Sequence, residues 1–181
     1  MKTLIMYYSH SGNTKALANE KAEEVGADIE EIIEAKRPFM PIGIHRAVNR
    51  IRTEITPIKS HLDDYEKIII MSPVWADHPV SAIYSLIDCL PKGKQVELIM
   101  VSGGGGTRSS SEGTKNLVTD RGCEVVGYTN VAVKLNRKTG KLETKTLDKE
   151  INLSYLYPIV TVIGGVLLIA GAYGLGRMSK K

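Results

Sequence analysis

Ser9, Ser11, Asn13 and Thr14 gather four hydroxyl or amide side chains around Gly12, directly after the apolar run from Thr3 to Tyr8. A helical pattern follows them. Backbone N–H groups at a helix start lack intrahelical acceptors and attract anions, and hydroxyls add further donors. Gly12 permits the tight turn that such a cradle needs. The loop itself holds no Lys or Arg, although Lys15 follows, so this chemistry suits a phosphate monoester held mainly by neutral donors. The sequence has no G-x-x-x-x-G-K-[ST] pattern here, which excludes a nucleoside-triphosphate P-loop. The same residue types also serve as helix N-caps with no ligand at all.

Two further loops carry candidate chemistry. Ser72-Pro73-Val74-Trp75-Ala76-Asp77-His78-Pro79 contains the single Trp of the chain. An aromatic on such a loop is a platform for a flat ring system, and the alternative is a ring that plugs the gap between sheet and helix. Asp77 and His78 are the candidates for substrate-side acid–base work, with His78 capping a helix as the plainer role. Ser102-Gly103-Gly104-Gly105-Gly106-Thr107 offers backbone that can approach a ligand closely, or a hinge.

The elements around these loops alternate. Thr3 to Tyr8, Ile29 to Ile33, Lys67 to Met71, Val96 to Val101 and part of Val125 to Leu135 read as five short strands. Ala16, Leu17, Ala18, Ala22 and Val25 recur at helical spacing and stop at Gly26. Val80 to Leu90 reads as a helix opened by Pro79, and Thr114 to Arg121 as another, ended by Gly122. Apolar strands without in/out alternation have both faces covered. The expected architecture is an open, doubly wound α/β sheet, in which ligands bind beyond the strands' carboxyl ends where the strand order switches.

In this order, Ser9-x-Ser11-Gly12-Asn13-Thr14, Pro73-Val74-Trp75 and the Ser102–Thr107 segment resemble the flavodoxin family over roughly residues 1–150. The resemblance implies a five-stranded parallel sheet of order 2-1-3-4-5 with helices on both faces and FMN at the switch point. It implies that Ser9, Ser11, Gly12, Asn13 and Thr14 hold the FMN phosphate. Backbone of Pro73, Val74, Trp75 and Ala76 would edge the isoalloxazine, with Trp75 stacking, and Ser102, Gly103, Gly104 and Gly105 would meet its polar edge. The chain departs from the family in two respects. Small electron-carrier flavodoxins are usually acidic, whereas this body is near neutral. The third loop also lacks the aromatic that often covers the outer flavin face, which leaves room for a substrate.

All 20 Asp and Glu lie within residues 1–150, as do all of the 24 Lys and Arg except Arg177, Lys180 and Lys181. A body so nearly neutral is a poor nucleic-acid binder. The two cysteines, Cys89 and Cys123, make no disulfide framework, and the first apolar run is too short for a signal peptide. These features suit a reducing cytoplasm. Between residues 36 and 59 six Lys/Arg face Glu54 alone, around a helical spacing of Ile44, Val48, Ile51 and Ile55. Such a segment reads first as a sheet-covering helix with a solvated basic face. Its second reading is a surface that meets anionic lipid headgroups.

The tail differs in composition. No charged residue occurs between Glu150 and Arg177. Residues 158–176 are apolar on every side, and at about 1.5 Å per residue they span roughly the 30 Å of a bilayer's hydrocarbon. The expected organisation is a flavodoxin-like domain at 1–150, a connector at 151–157, a transmembrane helix at 158–176 and a short basic tail at 177–181. The domain would then sit on the cytoplasmic side of the cell membrane, because the flank at 134–150 is the more basic one. The expected function is electron transfer through bound flavin to a redox partner protein or a quinone. An FMN-dependent NAD(P)H or quinone-type oxidoreductase and a flavin-free membrane adaptor are the alternatives. Nothing in the sequence suggests a metal site.

Overall fold

Neighbouring residues of the central strands serve two different cores. Leu4, Met6 and Tyr8, Ile68 and Ile70, and Leu98 and Met100 face one cluster, while Ile5, Tyr7, Ile69, Met71, Ile99 and Val101 face the other. Side chains alternate across a strand, so an unbroken apolar run serves a sheet covered on both sides. The computed structural model describes Met1–Ile151 other than residues 137 and 140, and these residues form one compact unit. The expected connector, membrane helix at 158–176 and basic tail fall outside them, apart from Ile151. Among the described residues no helix is long and apolar enough to cross a membrane.

The strands are β1 (Thr3–Tyr7), β2 (Asp28–Glu31), β3 (Lys67–Trp75), a two-residue β4 (His78–Pro79), β5 (Gln95–Ser102), β6 (Glu124–Leu135) and β7 (Leu142–Ile151). The sheet runs β2-β1-β3-β5-β6-β7, with β4 attached to β3. From β2 to β6 the neighbours are parallel. These five strands have the expected order 2-1-3-4-5. The sheet is nevertheless larger than expected, because β7 adds an antiparallel edge strand beside β6. Its sequence, LETKTLDKEI, is too polar to read as a strand, and it is largely exposed. Charged side chains along an edge discourage pairing with another chain.

Helix α1 (Asn13–Val25) covers one face through Ala18, Leu17 and Ala22, and ends where expected, at Gly26 in the left-handed region. Helices α3 (Ser81–Asp88) and α4 (Ser111–Asp120) cover the other, with Ile83, Leu86, Ile87 and Val118 in its core. Helix α2 (Met40–Val48) belongs to the long β2–β3 connection and touches β3, β4 and α3. It is shorter than the expected pattern. Arg50 takes a left-handed φ of 52°, which ends the helical path before Ile51, and Ile55 forms a bridge with Glu34 instead. The chain from 50 to 53 then lies along α3. Ser85 Oγ accepts from Thr53 N at 3.0 Å and donates to Thr53 O at 2.6 Å. Arg52 pairs with Asp88 through two contacts of 2.8 and 3.2 Å. This cover explains why α3 is buried from Ser81 to Ile87, with no face left to water. Each such Leu or Ile contributes up to about 1.5–3 kcal/mol through burial.

Candidate functional site

Strands β1, β3 and β5 are adjacent and parallel, with Tyr7 opposite Met71 and Pro73 opposite Val101. Parallel register brings the three expected loops out at one edge of the sheet.

The first loop is tied by its own serine. Ser9 is buried, and its Oγ accepts from Gly12 N and Lys15 N, each at 3.2 Å. Gly12 has φ 96°, in the region that disfavours side chains, and a Cβ placed there would meet nothing within 4 Å. The space above the turn is therefore open. The first N–H groups of α1 begin at Asn13, beside buried Thr14 and exposed Ser11. A 13-residue helix adds the equivalent of about half a positive charge at this end.

The second loop closes on itself as a hairpin ahead of the expected helix, and Pro79, expected to open that helix, pairs in the hairpin. Val74 pairs with Pro79 and Trp75 with His78, and Val80 caps α3 instead. The two turn residues, Ala76 (φ 47°) and Asp77 (φ 66°), are both left-handed. Two such residues match the twist of a tight hairpin, and a left-handed Ala costs about 1–2 kcal/mol. Trp75 is half-buried, not a free-standing platform. Gly43 of α2 lies so close that a Cβ there would run into the indole ring, and His10 of the first loop meets it edge-on at 5.2 Å. His10 Nδ1 is shielded from solvent and has no hydrogen-bond partner among the described residues.

Asp77 joins the second loop to the third. Its carboxylate accepts from Ser109 N at 2.9 Å and from Ser109 Oγ, and its carbonyl accepts from Ser110 Oγ at 2.5 Å. Burial works against the ionised carboxyl, but the Ser109 hydrogen bonds outweigh it and hold the pKa below the usual value. The Nδ1 of His78 donates to Ala76 O at 2.8 Å. Both residues thus have positions in the hairpin as well as their candidate chemistry.

In the third loop, Ser102 Oγ bonds to Gly105 O and accepts from Gly104 N at 3.2 Å. Gly103, Gly104 and Gly105 are exposed, and a Cβ on any of them would meet nothing within 4 Å. The loop's far end is anchored. Thr107 Oγ1 donates to Asn130 Oδ1 at 2.8 Å, so its 2.6 Å contact with Tyr128 places the donated proton on the tyrosine. Asn130 in turn donates to Asp148 of β7 at 2.6 Å. Burial raises the Tyr128 pKa and keeps that hydroxyl protonated.

Arg37 was not singled out from the sequence as a member of this site. Its guanidinium donates to Ser9 O at 3.1 Å and lies over the Tyr8 ring. It brings a cation from the β2–β3 connection to the first loop. Such a contact spans 28 residues, and only the fold reveals it. His10 was visible inside the loop, but nothing local marked its meeting with Trp75. Among the described residues no group of three His, Cys, Asp or Glu is placed to hold a metal ion.

The arrangement fits an anion at the start of α1 and a flat ring between the hairpin and the open glycine run. No protein-family model matches the chain, and no curated protein does. Solved structures do. A flavoprotein from Lactobacillus acidophilus NCFM, in complex with FMN, superposes with TM-score 0.62 and 25% identity, over 71% of this chain and 92% of that one. The apo form of a flavoprotein from the same organism gives TM-score 0.57 and 25% identity, over 71% and 91%. A protein from Bacteroides eggerthii DSM 20697 has the same fold at TM-score 0.61 and 24% identity, over 68% and 84%. Strand order, two-sided core and these neighbours agree that the described residues adopt a flavodoxin-like α/β fold.

Proposed function

We propose that the chain is an FMN-binding flavoprotein that transfers electrons, held at a membrane by residues 158–176. The observation that carries this reading is the convergence of three loops at one sheet edge, two of them with open glycine backbone. The FMN held by the Lactobacillus acidophilus flavoprotein supports it. Ser9, Ser11, Gly12, Asn13 and Thr14 hold the phosphate, and Arg37 adds a positive charge beside them. Backbone from Pro73 to Ala76 and from Ser102 to Gly105 holds the ring, and Trp75 forms one wall with His10 behind it. When bound, FMN supplies the redox chemistry; the protein supplies binding, orientation and electrostatics. The membrane reading rests on the uncharged stretch of the sequence, and a tether there would raise the local concentration of membrane-bound redox partners.

Purifying the full chain in mild detergent and recording its visible spectrum tests this. The expected result is a yellow protein that releases FMN on denaturation. A colourless protein that takes up no added FMN overturns the reading. One observation favours a second version: Gly103–Gly105 are exposed and no aromatic residue stands in that loop. A flat substrate such as a quinone could then approach the flavin. Steady turnover of NAD(P)H with a quinone would assign the enzyme, and its absence in a flavin-loaded protein would assign the carrier.

A further inference from the structure

The β2–β3 connection forms a cleft of about 460 Å³, half open to solvent, beside α2. Lys36, Arg37, Arg46 and Arg52 line it, against Glu54 as the one carboxylate of its lining. Arg37 is engaged with Ser9 and Arg52 with Asp88, but among the described residues no carboxylate pairs with Lys36 or Arg46. The lining is therefore strongly cationic.

The rim has a different character. Phe39 is 74% exposed and Ile42 51%, and Met40, Val48 and Ile51 are exposed beside them. Half of the exposed large apolar residues described in the chain fall within these 13 positions. Helix α2 explains the pattern. It turns its smallest residues, Gly43 and Ala47, inward against the protein, and leaves Met40, Ile42 and Val48 exposed, with Ile44 half-buried. A helix that served only to cover the core would do the reverse. Cations around a cleft suit an anion, but a site for a free small anion needs no exposed Phe and Ile around it. Basic residues mixed with apolar and aromatic ones suit the interface of an anionic bilayer, with headgroups on the cations and apolar side chains at the acyl boundary.

We propose that α2 and its flanks, residues 36–54, form a docking surface for anionic phospholipid, with a headgroup phosphate seated between Lys36 and Arg46. Phe39 and Ile42 enter the bilayer interface. The surface adjoins the candidate flavin site, because Gly43 packs on Trp75 and Arg37 bonds to the first loop. Docking there orients that site at the membrane, which a tether alone does not do. The proposal stands without the flavin, and its test contains none.

The experiment uses the full chain in vesicles of phosphatidylcholine alone, or with about one third phosphatidylglycerol, and measures amide hydrogen exchange. Exchange over residues 39–48 is expected to slow about fivefold in the anionic vesicles relative to the neutral ones, and to recover in high salt. The difference is expected to vanish in Lys36→Gln/Arg46→Gln and in Phe39→Ser/Ile42→Ser, while amides of β1 and β3 keep their protection and report an intact fold. Equal exchange in the two vesicle types overturns the proposal. So does equal protection by inorganic phosphate without vesicles, persisting in Phe39→Ser/Ile42→Ser, which would mark a small-anion site. Stronger protection by polyglutamate than by anionic vesicles also overturns it, in favour of an acidic protein partner.

Discussion

The first and third loops of the site both depend on glycine, but they are built differently. In the first, one glycine at φ 96° makes the turn, and the Ser9 hydroxyl fixes it through the N–H groups of Gly12 and Lys15. In the third, four consecutive glycines run from 103 to 106, held at the near side by the Ser102 hydroxyl and anchored in buried polar groups only beyond them, at Thr107. A phosphate monoester keeps one tetrahedral shape in every redox state of the flavin, so a pre-set cradle suits it. A ring edge whose polarity changes with redox state is better served by backbone that can adjust. The comparison teaches that the proposed phosphate cradle is fixed about one glycine, whereas the proposed ring contact is a longer glycine run tied at its two ends, by Ser102 and by Thr107.

Substitutions can break this contrast. Gly12→Asp should have the largest effect, lowering FMN affinity at least about 100-fold through like-charge repulsion. A Cβ at Gly12 meets no protein atom, so the fold should lose only the left-handed strain of about 1–2 kcal/mol. Titrating FMN and measuring urea unfolding on the same variant separates the two effects. Unchanged FMN affinity would refute the cradle.

Thr107→Val should act the other way, on stability more than on phosphate binding. It removes the donor to Asn130 and the acceptor of Tyr128, both buried. Unfolding in urea should show a loss of about 1–3 kcal/mol. A variant that unfolds like the parent would show that the network does not anchor the loop.

Gly43→Ala should force α2 and Trp75 apart at a stability cost of about 1–2 kcal/mol, and should shift the emission of this single indole. An unshifted emission spectrum would separate α2 from the hairpin. The smallest effect is a pH dependence. The Asp77 carboxyl is held below its ordinary pKa, so its contribution is complete above the unfolded value near 4. It is lost as pH falls through the lower folded value. Exchange of the 108–110 amides should therefore quicken in acid, and Asp77→Asn should flatten that profile.

Much of the scaffold was legible because the central strands serve two cores. Ile68, Ile69, Ile70 and Met71 leave no solvent face, so a run of four apolar residues marks a buried parallel strand without a period-two signal. Gly26 and Gly122 end their helices with a positive φ that favours glycine, and both were visible as stops. Other features ran against local preference. The 74–79 hairpin turns on Ala76 and Asp77 without a glycine, and Arg50 ends α2 in a conformation that few arginines adopt. Strand β7 pairs through its backbone while its side chains remain polar and exposed, so composition hides it. The candidate site was legible only as three separate loops. The contacts that join them, His10 to Trp75, Arg37 to Ser9 and Asp77 to Ser109, link residues 28 to 65 positions apart, and no spacing rule reports such pairs.

The most direct test of the phosphate cradle is a calorimetric titration of the flavin-free protein with FMN and, separately, with riboflavin. The two ligands share the ring and differ in the phosphate. Binding of FMN about 100-fold tighter or better is expected, with the difference reduced in Ser9→Ala. Equal affinity for both ligands would contradict the account.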